Sequence, residues 1–326
     1  MISHNIFKKT LGTLAISLLA VSVITAQALT VSPARAELTG DPGETISDSF
    51  LIINEQNADQ TFYTSVENFE SQGESGTPNF TASKEGLPTW IKVEEKVTLK
   101  KGERIKIPYS ITIPKDAEAG GHFAAIFLST VPPSLGDGQV SVGAKVGMLV
   151  LLKVTGNVKE DGGLLSFVIK EGKKVMTSIP INFVYRFNNK GNDRVKPEGS
   201  ITIKNMLGNE VARLDANKSL GNVLPGSTRR FEITYGGIEA PPVSAPFFDQ
   251  VKFEKDNFAL GMYTANLSLS FGNSGKAVSS ISYFIFPWQL LTVVLVVALI
   301  AIIVLMLLLK QYNRWIIKQA RAAGKK

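Results

Sequence analysis

The clearest pattern along the chain is a two-residue period. Between Arg104 and Ile113 the residues Ile105, Ile107, Tyr109, Ile111 and Ile113 all fall on one side. Such alternation predicts a half-buried strand with its apolar side inward. Pro108 has no N–H to give to a ladder, so this strand is expected at a sheet edge or with the proline nitrogen toward solvent. Runs rich in β-branched and aromatic residues predict companion strands at Phe50–Ile53, Thr61–Val66, His122–Thr130 and Lys145–Val154. Clusters of Gly, Pro, Asn and Asp separate them. After a Gly-rich break at 156–163, a second set is predicted at 164–169, 179–187, 200–204, 210–214, 229–235, 263–271 and 277–286. The stretch Met206–Glu210 reads as a tight hairpin. Pro42-Gly43 and Pro225-Gly226 suit type II turns, with glycine at the positive-φ position. No stretch ahead of residue 288 keeps a 3.6-residue period for three turns.

The two sets echo one another. Phe50-Leu51-Ile52-Ile53-Asn54 runs into a polar turn, as Phe183-Val184-Tyr185-Arg186-Phe187-Asn188 runs into Asn189-Lys190-Gly191-Asn192. We therefore expect an all-β ectodomain of two tandem immunoglobulin-like antiparallel sandwiches, at 29–157 and 158–286.

A different pattern follows. Trp288 to Leu309 carries no charge and is nearly unbroken Leu, Val, Ile and Ala. As a helix it would be about 33 Å long, enough for a hydrocarbon core of roughly 30 Å. This predicts one C-terminal transmembrane helix, 287–309. The tail, 310–326, holds six basic residues and no acidic one, whereas Lys276 is the only charge in the twenty residues ahead of Pro287. The asymmetry places the tail in the cytoplasm and the β domains outside it. Trp288 is the expected anchor at the outer interface; Lys310, Tyr312, Arg314 and Trp315 are the expected inner ones. At the other end, Lys8-Lys9, the apolar run 11–24 and Ala26-Gln27-Ala28 predict a signal peptide over 1–28. Retained instead, it would be a second membrane segment.

Charge changes the picture little. The formal +7 belongs to the signal peptide and tail, leaving 27 basic against 28 acidic residues between them. No basic strip interleaved with aromatics suggests nucleic acid as a partner. The chain has no cysteine, which excludes disulfides and thiol chemistry and fits a bacterial envelope. His122 is the only histidine past residue 28, too few for a nucleophile–histidine arrangement or a zinc site. Catalytic, cofactor-binding and metal residues are thus not expected, and the reading is non-enzymatic. Three long loops, 70–89, 131–141 and 236–257, are left to carry binding. The last holds Pro241-Pro242, Pro246 and the adjacent Phe247 and Phe248. These two either plug the end of the sandwich or form an apolar contact patch.

The arrangement resembles the WxL-interacting proteins of Gram-positive cell surfaces. In the first half the likeness rests on Leu29-Thr30-Val31-Ser32-Pro33, on Ile113-Pro114-Lys115-Asp116-Ala117 leading to Gly120-Gly121-His122-Phe123, and on Val146 to Val154. In the second it rests on Phe187-Asn188-Asn189-Lys190-Gly191-Asn192 and Pro197-Glu198-Gly199-Ser200-Ile201. These phrases are short, and pilus-chaperone-like domains carry similar ones. The resemblance implies a membrane-anchored, non-catalytic binding protein whose partners are cell-wall peptidoglycan and another surface protein. The alternative is an envelope chaperone or assembly factor that presents a sheet edge to a client subunit.

Overall fold

The structure is a computed structural model that describes residues 29–82, 85–132, 145–170, 172–237, 240–242 and 244–323. The expected signal peptide and most of the 131–141 loop lie outside these residues.

Strand β1 (Leu29–Ser32) starts a four-stranded sheet of order β1-β3-β8-β6, with β3 (Thr45–Asn54), β8 (Arg104–Thr112) and β6 (Ile91–Val93). At the cis Ser32–Pro33 bond the chain crosses to the second sheet, where β2 (Arg35–Gly40) runs parallel to β10 (Lys145–Val154). That sheet continues through β9 (Gly120–Ser129) and the long β4 (Gln60–Gln72) to β5 (Thr77–Thr81), while β7 (Lys96–Leu99) also pairs with β4. One turn of helix, α1 (Leu87–Trp90), lies between β5 and β6. The alternating face of β8 does what its pattern demands. Ile107, Tyr109 and Ile111 point inward with Phe50 and Ile52 of β3, against Phe62, Ile126, Leu128, Val150 and Leu152 of the facing sheet. By order β8 is an interior strand, but β6 pairs only with Tyr109–Ile111, so beside Pro108 it has a strand on one side only.

Residues 162–285 repeat the plan around a second core. Strands β11 (Gly162–Ile169), β13 (Ile181–Asn189) and β16 (Thr228–Tyr235) form one sheet. The other has the order β12-β18-β17-β14-β15, with β12 (Val175–Met176), β14 (Glu198–Asn205), β15 (Glu210–Asp215), β17 (Gly261–Phe271) and β18 (Gly275–Ile285). Phe183, Tyr185, Phe187, Ile201, Ile203, Leu267, Tyr283 and Ile285 fill the space between them. Tyr185 stacks on Phe231 at 4.7 Å and donates its hydroxyl to the Ala216 carbonyl, 3.0 Å away. Burial raises its pKa.

The echo between the halves has a physical basis in two buried asparagines. Asn54 closes β3 and donates its amide to the carbonyls of Ala58, Leu99 and Lys100, while its Oδ1 accepts from the Gln56 N–H. Asn189 closes β13, donates to Asp193 and Val223, and accepts from Gly191 N–H at the same two-residue spacing. Both are fully buried, and in each sandwich a side-chain amide replaces the ladder where the strand runs out.

Two expectations need correction. The segment 236–257 is not all loop, because α2 (Phe247–Asp256) occupies its second half. Its sequence mixes Phe with charged residues and buries only Glu254, since what it packs on is another helix and not the core. Likewise, 70–89 is a β4–β5 hairpin followed by α1 rather than an open loop.

After β18, helix α3 (Trp288–Ala323) is long and apolar enough to cross a membrane. It runs on without a break to Ala323, inside the basic segment.

Candidate functional site

Of the residues singled out in the sequence, Phe247, Phe248 and Trp288 meet at the junction of α2 and α3, while Lys310, Tyr312, Arg314 and Trp315 lie far along α3. Pro246 precedes α2, and its carbonyl receives the N–H groups of Asp249 and Gln250. Phe247 and Phe248 sit in the first turn, edge to face at 5.6 Å, and Phe247 lies 6.3 Å from Trp288. Neither is a core plug. Phe247 is 39 % exposed and Phe248 74 % exposed. Further along α2, Glu254 turns toward the start of α3, where its Oε2 accepts the Leu290 N–H at 2.7 Å. The Gln289 side chain donates to Oε1 of Gln250. Glu254 is buried, which raises its pKa, although the Leu290 and Gln289 backbone N–H groups oppose the rise. A carboxylate at a helix N-terminus meets unpaired N–H groups and the positive end of the dipole. Glu254 was invisible in the sequence, since nothing there paired residue 254 with residue 290. Tyr312 and Trp315 stack at 6.1 Å on the same long helix as Lys310 and Arg314.

A second set of residues joins the two sandwiches. Gly121 N–H donates to the Asn192 carbonyl (2.8 Å), and the Asn192 amide donates to the Ala119 and Asn157 carbonyls. Leu224 covers an apolar patch of Phe69, Phe123 and Leu151 on the outer face of the first domain's second sheet. Asn222 donates to Glu37, which also faces Arg35, Lys196 and Arg194. Partial burial pushes the Glu37 pKa up, but the Asn222 amide and these cations outweigh it and hold the carboxyl below its usual range. On the far side, the turn between β4 and β5 leans on β16. Glu74 pairs with Arg186 through both carboxylate oxygens, and its carbonyl accepts the Arg230 N–H. His122 is spent locally, with Nε2 at 2.8 Å from the Glu118 carbonyl and its ring against Trp90.

The third feature is an open cleft of about 570 Å³ on the second sandwich, between β15 and β16. These strands are the terminal members of their two sheets, and among the described residues no strand pairs with the outer edge of either. Leu214, Phe231 and Ile233 line its apolar part, and Arg213, Arg229, Arg230 and Glu232 its rim. Glu232 bonds Lys170 at 2.8 Å, the leading reason that its pKa lies below the usual value. Because the Arg230 N–H points outward to Glu74, the alternation of a strand directs the Glu232 and Thr234 N–H groups outward as well. The cleft thus offers backbone donors, a shallow apolar wall and charges of both signs. Among the described residues, no group of three His, Asp or Glu side chains is placed to hold a metal ion.

No protein-family model matches the chain, and no curated protein matches its sequence. Among solved structures it is similar to the class 5 fimbriae chaperone CfaA, at 12% identity over 80% of this chain and 100% of that one, with a TM-score of 0.37. It is similar to the E. coli chaperone DraB at 12% identity, over 78% and 96% of the two chains, with a TM-score of 0.33. A Salmonella enterica SafA pilin in complex with the SafB chaperone gives 10% identity, 80% and 98% coverage and a TM-score of 0.34. Likeness at this level bears on no functional assignment.

Proposed function

We propose that this protein is a membrane-anchored, non-catalytic assembly factor that holds an extended segment of a client protein along the open edge of its second sandwich. Helix α3 is its single span, with the basic tail in the cytoplasm and both sandwiches outside. What supports the reading is the cleft itself. Two terminal strands face each other across it, and an added strand could be hydrogen-bonded by one edge while its alternate side chains meet Leu214 and Ile233. Strand addition draws affinity from main-chain bonds and specificity from alternating side-chain contacts. The competing reading, attachment to peptidoglycan together with a surface protein, is what the resemblance to WxL-interacting proteins implies.

The test is a photo-crosslinker at Thr234 in the full-length protein, expressed in its own cells. A discrete client crosslinked through one extended segment is expected. Glu232→Pro removes an outward N–H at a sheet edge, where proline is tolerated, and should weaken capture about tenfold. Glu232→Gln keeps the N–H and should retain capture. Sedimentation with bare sacculi that Glu232→Pro leaves unchanged, without a crosslinked client, would replace this reading by wall attachment.

A further inference from the structure

The end of the second sandwich from which α3 departs is apolar on several separate elements. β17 begins at Gly261 directly beside the end of β18 at Ile285, and Met262 pairs with Phe284. The β14–β15 turn reaches the same end, because Asn205 pairs with Tyr263 and the Met206 methyl lies against Gly261. Helix α2 closes the ring two residues before Phe258. Leu207 is 78 % exposed, and Phe248, Phe258, Met262, Phe286 and Trp288 are exposed as well. Single exposed apolar side chains need no explanation, but a contiguous group does. Here the position of the group speaks for its occupant. Phe286 is two residues from the start of the apolar helix, and the other elements converge on that point. Charge does not supply the attraction, for on α2 the exposed Lys252 and Lys255 are balanced by Asp249 and Asp256.

We propose that this pole is a membrane foot. The bilayer leaflet entered by α3 covers Leu207, Phe248, Phe258, Met262 and Phe286, and seats the second sandwich on the lipid. The β15–β16 cleft, which begins on the far side of the same hairpin, is thereby held at a fixed height over the membrane. The proposal rests on α3 being the span, and the experiment separates the two.

Since the chain has no cysteine, single substitutions give unique labels. Leu207→Cys and Phe248→Cys, both at exposed sites, would carry a bimane fluorophore in the full-length protein. The protein would be reconstituted into phosphatidylcholine vesicles containing lipids brominated both high and deep in the acyl chain. Val297→Cys in α3 and Lys101→Cys in the β7–β8 turn are the references. A foot placed roughly 5–10 Å into the interface should blue-shift both labels and quench them at least about twofold more than the Lys101→Cys label. Quenching at Val297→Cys with neither foot label above the Lys101→Cys level would overturn the foot and leave the span intact. Absence of quenching at Val297→Cys would overturn both.

Discussion

Gly120 is where the joint between the sandwiches can be tested most sharply. Its φ is +129°, a conformation that L side chains rarely adopt, and an added Cβ would lie 2.4 Å from the Asn192 carbonyl oxygen. The obstacle is backbone, which no rotamer change can clear. Gly120→Ala therefore combines a strained φ, about 1–3 kcal/mol, with displacement of the Asn192 segment. That displacement stretches Gly121 N–H to Asn192 O and Asn192 Nδ2 to Ala119 O. Each such bond contributes about 0.5–1.5 kcal/mol, so with the strain the expected loss is about 2–6 kcal/mol. Gly102→Ala is the control. It also has a positive φ, +70°, but nothing lies within 4 Å of its added Cβ. It should cost only the conformational part, about 1 kcal/mol. The assay is urea unfolding of the full-length protein in detergent, read by tryptophan fluorescence with Trp288 and Trp315 replaced by Phe so that only Trp90 reports, since Trp90 packs on His122 at 4.7 Å. A Gly120→Ala midpoint indistinguishable from that of Gly102→Ala would refute the packing of Gly120 on Asn192.

Asn54→Ala and Asn189→Ala each leave buried carbonyls without a donor, and each should cost about 1–3 kcal/mol, measured as the shift of its own sandwich's unfolding transition. Asn54→Asp should be worse than Asn54→Ala, because a carboxylate would face three carbonyls. Glu254→Ala removes the acceptor of the Leu290 N–H and should raise hydrogen exchange across α2, whereas Glu254→Gln keeps an acceptor and should not. Burial raises the Glu254 pKa, so its effect on stability is best below 4.5 and worsens as pH rises through the folded value; Glu254→Gln should remove that slope. Glu37 has the opposite sign. Its pKa is lowered from 4.5, so its bridge to Asn222 is fully present above that value and is lost as pH falls through the folded one. Cross-linking between the sandwiches should drop in that acid window for the wild type, and Glu37→Gln should flatten the response.

Much of the sandwich plan was written in residue periods. β8 declares itself through Ile105 to Ile113 because one face is buried and the other wet, and the period-2 pattern has no other physical source. The turns at Gly43 and Gly226 were legible for a similar reason. Only a residue tolerant of positive φ, +87° and +67° here, suits the position after proline. Helix α2 was not legible. Its partner is the first turn of α3, so its sequence had to match a contact with residues 288–290 and not a core, and no periodicity records that. The interdomain contacts were hidden likewise, since Asn222 and Glu37 stand 185 positions apart.

The residues that carried the resemblance can now be placed. Gly120-Gly121 and Asn192 meet at the joint, Asn189 and Gly191 close the turn after β13, and Pro33 marks the crossing from one sheet to the other. Each does work that any tandem pair of such sandwiches requires, namely close backbone approach, a stapled turn or a change of sheet. A phrase of this kind reports how the two halves are held together and says nothing about what they hold. Ligand preference has to be sought where fold requirements are slack, on surfaces whose residues can vary without touching a core. In this chain the apolar pole around Leu207 and Phe248 and the outward-facing backbone and rim of β15 and β16 meet that condition, although Leu214 and Ile233 also pack on the second core. The pole has Trp288 and the apolar helix beside it to indicate lipid, whereas the cleft offers only its unpaired backbone and the pattern of Leu214 and Ile233. The identity of a client would therefore be encoded in the client's own alternating segment, and crosslinking from Thr234 reads that segment directly.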